Sequence, residues 1–173
     1  HFHDRVYFHG VETTNYPLFE FNLYTLALTS KLIEVAQYQK LDILHMHYAI
    51  PHAVSAYLAR EILGHERIRT VTTLHGTDST LVGLEPSFLP LMKFTLEHSD
   101  GVTAVSNFLR EKTLSTYQLD IDIEVIHNFI DTKAYEPKEV CKYRELFSPA
   151  GEKILVHTSN FRPVKRVQDV IRT

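Results

Sequence analysis

Several things are scarce in this chain of 173 residues, and each scarcity removes a class of protein. A single cysteine, Cys141, excludes an internal disulfide framework and agrees with a reducing cytosol, so the expected localisation is cytoplasmic. No apolar run approaches the roughly 20 residues that span a bilayer, and no signal-peptide pattern opens the chain. A net charge of only −3 supplies no general field for gathering nucleic acid or an anionic membrane. The glycines of a GxGxxG or P-loop fingerprint are missing, as is a His-Glu-x-x-His helix. Repeats and low-complexity segments are absent too.

What is present reads as a soluble globular protein, 44% hydrophobic and 23% charged, with eleven histidines whose placement is the main question. Strand-length apolar runs alternate with helical periods. Strands are expected at Arg5–Glu12, Leu41–His47, Ile68–Leu74, Gly101–Val105 and Ile121–Ile126. Helices are expected at Asn22–Gln39, with Asn22 as N-cap and Leu23, Leu26, Ile33 and Ala36 on one face, and at Pro51–Leu63, stopped by Gly64. Two more follow at Pro86–His98 and at Ser106–Tyr117, the latter capped by Ser106. Such alternation implies right-handed βαβ units and a parallel sheet covered on both faces. The composition turns polar at Asn128–Glu152, with a short helix around Glu139–Phe147, before Lys153–His157 begins a new strand and Val164 a new helix. Residues 1–131 are therefore expected to form an α/β, Rossmann-like parallel-sheet domain, 132–152 a linker, and 153–173 the start of a second such domain. Both ends look cut: there is no initiator Met, and the last helix stops within its period.

Ligands of open parallel sheets bind beyond the carboxyl ends of the strands, and polar residues gather there. They are His45-Met46-His47-Tyr48, His75-Gly76-Thr77-Asp78, Ser106-Asn107 and, in the second domain, Ser159 to Arg166. His45 and His47 are two apart and face the same way on a strand. With His52, His75 or Asp78 they could hold a metal, or they could be hydrogen-bonded wall residues. Gly76 permits a positive φ or close backbone approach, although a capped turn would use the same residues. Arg162, Lys165 and Arg166 at a strand-to-helix turn suit a diphosphate, or are a solvated basic helix start.

Together these segments resemble the GT-B-fold, retaining glycosyltransferases of family 4. The resemblance rests on Leu41-Asp42-Ile43-Leu44-His45-Met46-His47-Tyr48-Ala49-Ile50-Pro51-His52-Ala53 and Thr72-Thr73-Leu74-His75-Gly76-Thr77-Asp78. Asn128-Phe129-Ile130-Asp131 and Ser159-Asn160-Phe161-Arg162 through Val164-Lys165-Arg166-Val167-Gln168-Asp169 extend it over nearly the whole chain. It is nearest to the branch that joins N-acetylglucosamine to L-malate in bacillithiol biosynthesis, because Ser159-Asn160 stand where most members have Gly-Arg. The resemblance implies a GT-B pair of Rossmann-like domains, with residues 1–131 as the acceptor-binding domain lacking its first βα unit. From 153 onward would lie a truncated nucleotide-sugar-binding domain. It implies UDP-GlcNAc as donor substrate, L-malate as acceptor, retention of anomeric configuration, no metal or other cofactor, and a possible homodimer. It further implies His75 as the catalytic histidine facing the donor sugar, and Tyr48, Thr77 and Lys93 as acceptor contacts. Asn160, Arg162, Lys165 and Arg166 would hold the donor, while His45, His47, Asp78 and Asn128 are possible further participants. Without the parts expected before His1 and after Thr173, including a glutamate pair, this stretch alone is expected to be inactive. Two other readings stay open on the residues: a metal-dependent hydrolase using His45, His47, His75 and Asp78, and a non-catalytic sugar-nucleotide-binding module.

Overall fold

The computed structural model describes residues 4–13, 23–76, 85–136 and 143–172. The chain divides into two compact units, His1–Phe129 and Ile130–Thr173. In the first, α1 (Tyr24–Gln39), β1 (Ile43–His47), α2 (Val54–Leu63), β2 (Arg69–Leu74), α3 (Leu89–Glu97), β3 (Gly101–Ala104), α4 (Asn107–Tyr117) and β4 (Glu124–Val125) follow in order. The four strands are parallel and lie in the order β1-β2-β3-β4, an α/β Rossmann-like sheet.

That order decides which face is covered. Each crossover steps to the next strand on the same side, and right-handed crossovers that never reverse direction put every connecting helix on one face. In register, Leu44, Thr70 and Met46, Thr72, Val102 share that face, as do Leu74, Ala104 and Val125. Leu44, Met46 and Ile68 pack with Ala36, Ala56 and Ala59, while Leu74, Val102 and Ala104 pack with Met92, Leu96, Leu109 and Tyr117. The opposite face carries His45, His47, Val71, Thr73, Thr103 and Glu124, and among the described residues no helix covers it.

The helix ends show local causes. Ser106 caps α4, its Oγ accepting from the Leu109 N–H at 3.2 Å. Gly64 ends α2 at φ +99°, a conformation that L side chains rarely adopt. α2 begins three residues later than expected, because Ala49–Ala53 forms a wider π turn with an extended Ile50 and a cis Ile50–Pro51 bond. On α1 the inward residues are Thr29 and Ala36 with Leu32 and Ile33, whereas Leu23 and Leu26 are exposed. The small hydroxyl side chains do this: Thr29 Oγ1 donates to the Ser55 carbonyl at 3.3 Å, and Ser55 Oγ donates to the Thr25 carbonyl at 3.1 Å. The expected cap Asn22 lies outside the described residues.

Three expected strands differ. Residues 6–12 form no strand; Val6, Tyr7 and Phe8 are exposed, and no neighbouring strand pairs with them among the described residues. β4 is two residues long, although the Ile126 N–H still donates to the Ala104 carbonyl at 2.9 Å. Lys153–His157 is likewise unpaired among the described residues, and a strand exists only through its ladder. The second unit holds α5 (Tyr143–Phe147), a 3-10 turn at Pro163–Lys165 and α6 (Val167–Arg172).

One charged knot secures the amino-terminal edge of the sheet. Asp100 accepts from the Arg60 guanidinium at 2.8 Å, the Thr70 N–H at 2.8 Å, Thr70 Oγ1 at 3.1 Å and Arg69 at 3.0 Å. It thereby joins α2, β2 and the approach to β3. Arg60 is only 4% exposed, so its charge depends on this partner. Burial alone would raise the Asp100 carboxyl; the hydrogen bonds from the Thr70 backbone, Arg69, Arg60 and the Thr70 hydroxyl outweigh it and hold it at about 2, below the usual 3.8. The knot's contribution is complete above the unfolded value near 3.8 and is lost as pH falls through about 2. Asp100→Ala should cost about 3 kcal/mol in chemical denaturation, since it strands a buried guanidinium. Asp100→Asn should flatten the acid limb of stability between those two pH values, and an unchanged limb would show that other carboxylates govern it.

Candidate functional site

The uncovered face ends, at the carboxyl edge of the strands, in a row of imidazoles and hydroxyls. His45 and His47 project from alternate positions of β1, and their rings stack at 4.7 Å between centroids. His75 follows the end of β2, and its ring lies 5.0 Å from that of His47. His47 Nδ1 and His75 Nε2 are 2.7 Å apart. His45 Nε2 lies 2.7 Å from Thr73 Oγ1, which lies 2.7 Å from Thr103 Oγ1, so a hydrogen-bonded line crosses three strands. His52 Nδ1 donates to the His47 carbonyl at 2.6 Å. His45, His47, Thr73, His75 and Thr103, with Val105, Ile126, His127, Asn128 and Phe129, border a cavity of about 220 Å3. His127 is held there by donation from Nδ1 to the Val105 carbonyl at 3.1 Å.

Tyr48 stands beside this cavity, its ring 5.1 Å from that of His75. Its φ of +75° is unusual for a non-glycine residue, and its N–H donates to the Thr73 carbonyl at 3.0 Å, which ties the turn to the next strand. At Gly76, φ is +111° and a Cβ would meet nothing within 4 Å. The glycine is therefore required by backbone conformation rather than by close approach.

The structure thus brings together His45, His47, Tyr48, His75 and Asn128. Thr77 and Asp78 lie outside the described residues. Lys93 is not brought to this group: on α3, its Nζ donates to the Gln118 carbonyl at 3.3 Å and pairs with Glu97 at 3.6 Å. Helical direction aims it at the end of α4 instead. In the second unit Asn160, Arg162, Lys165 and Arg166 are all exposed around the 3-10 turn. Arg162 and Arg166 border a cavity of about 330 Å3, and Arg166 is ion-paired to Asp169. Thr73, Thr103 and His127 join the first site without having been anticipated. A threonine at a matching odd position of two adjacent strands was the available signal, and it needs the register to be read.

Chemically the cavity offers imidazole and hydroxyl donors and acceptors. Burial, and then the neighbouring His45, His75 and His52, push the His47 imidazole below its ordinary value of 6.5, which favours the neutral ring. No carboxylate lines the cavity among the described residues. Nor do three or more His, Cys, Asp or Glu side chains converge as a metal site among those residues.

The model of glycosyltransferase family 4 matches residues 1–134. The chain belongs to that family. It is 49% identical over 168 residues to N-acetyl-alpha-D-glucosaminyl L-malate synthase of Bacillus anthracis, an alignment covering 96% of this chain and 44% of that protein. A glycosyltransferase structure from Rickettsia africae ESF-5 matches with a TM-score of 0.56 and 23% identity, over 80% of this chain and 35% of that one. That second likeness concerns the fold alone. The chain spans less than half the length of either relative.

A titration of the imidazoles by NMR should place the His47 midpoint below 6.5. His45→Gln, which keeps an amide near Thr73, should move that midpoint only part of the way back, because burial is the larger cause. Folding stability should correspondingly fall as pH drops below 6.5, where the unfolded chain takes up the proton more readily. A His47 midpoint at or above 6.5 would contradict this picture of the site.

Proposed function

We propose that the protein containing this chain transfers N-acetylglucosamine from UDP-GlcNAc to L-malate with retention of configuration, the opening step of bacillithiol synthesis. The single observation that carries the reading is the 49% identity to the L-malate synthase, maintained over 96% of the chain. The hydrogen-bonding edge of the first unit supports it. Imidazoles and hydroxyls suit sugar hydroxyls as hydrogen-bond partners. In that reaction the departing phosphate takes the acceptor's proton, so the protein supplies position and charge stabilisation.

Within this reading His75 faces the donor sugar near the reacting carbon, and Tyr48 and Thr77 contact malate. Arg162, Lys165, Arg166 and Asn160 hold the diphosphate, whose charge grows as the glycosidic bond breaks. Arg166 already has Asp169 as partner, which leaves Lys165 and Arg162 as the stronger claimants. The proposed enzyme works in the cytoplasm without a metal or other cofactor.

The test is a crossed pair of variants in the full-length enzyme. Lys165→Ala should weaken use of UDP-GlcNAc by about 2–4 kcal/mol in kcat/KM, as removal of one preorganised charge does. Its KM for malate should stay near that of the parent. Thr77→Ala should raise KM for malate and leave UDP binding near normal. If Lys165→Ala spares UDP binding while Thr77→Ala abolishes it, donor and acceptor have been assigned to the wrong units. If the parent enzyme converts malate and UDP-GlcNAc to no product, the reaction itself is wrong.

A further inference from the structure

The two histidines joined across β1 and β2 have a chemical relation that neither has alone. His47 Nδ1 and His75 Nε2 are 2.7 Å apart, and an imidazole–imidazole bond at this distance requires one nitrogen to carry the proton and the other to lack it. The two tautomers are therefore coupled. If His47 donates, the neutral His75 must be protonated at Nδ1; if His47 accepts, His75 carries its proton at Nε2.

His47 is itself held firmly. Its ring stacks on His45, which is hydrogen-bonded to Thr73 and through it to Thr103. Its backbone carbonyl accepts from His52. β1 pairs His47 with Thr73 in the ladder, two residues before His75. His75, by contrast, stands past the end of its strand, next to Gly76 with its positive φ. The fixed ring is His47, and the ring that needs fixing is His75.

We propose that His47 is a positioning residue, whose Nδ1 sets the ring orientation and tautomer of His75 and so aims that imidazole at the donor sugar. The last clause rests on the proposed function, in which His75 faces the sugar. The contact and its effect on the His75 ring do not. His47 need touch neither substrate, and the ring of Tyr48 lies 5.1 Å from that of His75. A second partner that fixes the tautomer of a working histidine commonly changes activity ten- to a hundredfold.

The experiment compares His47→Asn, His47→Gln and His47→Phe in the full-length enzyme, reading steady-state kinetics and the 15N resonances of the His75 ring. An asparagine amide sits where Nδ1 of histidine sits, whereas a glutamine amide sits where Nε2 sits. His47→Gln and His47→Phe should lower kcat about ten- to a hundredfold, with both KM values within about threefold of the parent. Both should also shift the His75 ring resonances. His47→Asn should recover most of the rate and the parental His75 resonances. Glutamine serves as the second test should phenylalanine prevent folding. Unchanged His75 resonances in folded His47→Gln overturn the proposal, whatever the rate, and so does failure of asparagine to restore them. A parent enzyme that transfers no sugar instead overturns the functional reading, and the His75 resonances still decide the contact.

Discussion

Right-handed crossovers that always step to the same side are the constraint from which the rest of this structure follows. They place α2, α3 and α4 on one face of the sheet, and among the described residues no helix lies on the other. Strand alternation then sorts the side chains. Leu44, Met46, Leu74, Val102 and Ala104 enter the core, and His45, His47, Thr73 and Thr103 are left on the open face. A one-residue slip of β1 would exchange the two sets and put imidazoles into the apolar layer.

The two ends of the same strands carry opposite kinds of polarity. At the amino edge, Asp100 gathers Arg60, Arg69 and Thr70 into a charged knot, and a depressed carboxyl holds the helical layer to the sheet. At the carboxyl edge His45, His47, His75 and two threonine hydroxyls are linked by hydrogen bonds. Charges at the first edge are spent on partners within the fold, whereas the rings at the second border an open cavity. This is the division of labour expected of open parallel sheets, in which ligands meet the strands at their carboxyl ends.

Membership in glycosyltransferase family 4 fits that division, and the second unit adds basic residues of a different character. Arg162, Lys165 and Arg166 are exposed around a short turn, and only Arg166 has a carboxylate partner among the contacts described. Exposed cations cost little to keep in water and gain strength when a polyanion displaces that water. The histidine-rich strand edge and the exposed basic turn are therefore carried by separate units of the chain.

Much of the fold was legible in the residues. The βα alternation, the Ser106 cap, the Gly64 stop and the same-side pairing of His45 with His47 all depend on local periodicity and local hydrogen bonds. The failures are non-local. Val6–Phe8 and Lys153–His157 have strand-like composition, yet strands require a neighbour, and none pairs with them among the described residues. Leu23 and Leu26 are apolar at helical spacing, but α1 meets α2 through Thr29 and Ser55, because short side chains let the two helices approach. Lys93 was placed by resemblance alone, and the axis of α3 sends it to Gln118. The meeting of His47 with His75, and the threonine line beneath His45, join residues 28 positions apart. Sequence determined which residue types stand at the strand ends, because composition and period are local properties. Only the tertiary structure decided which of them touch, because strand order and register are set by long-range pairing that no local pattern encodes.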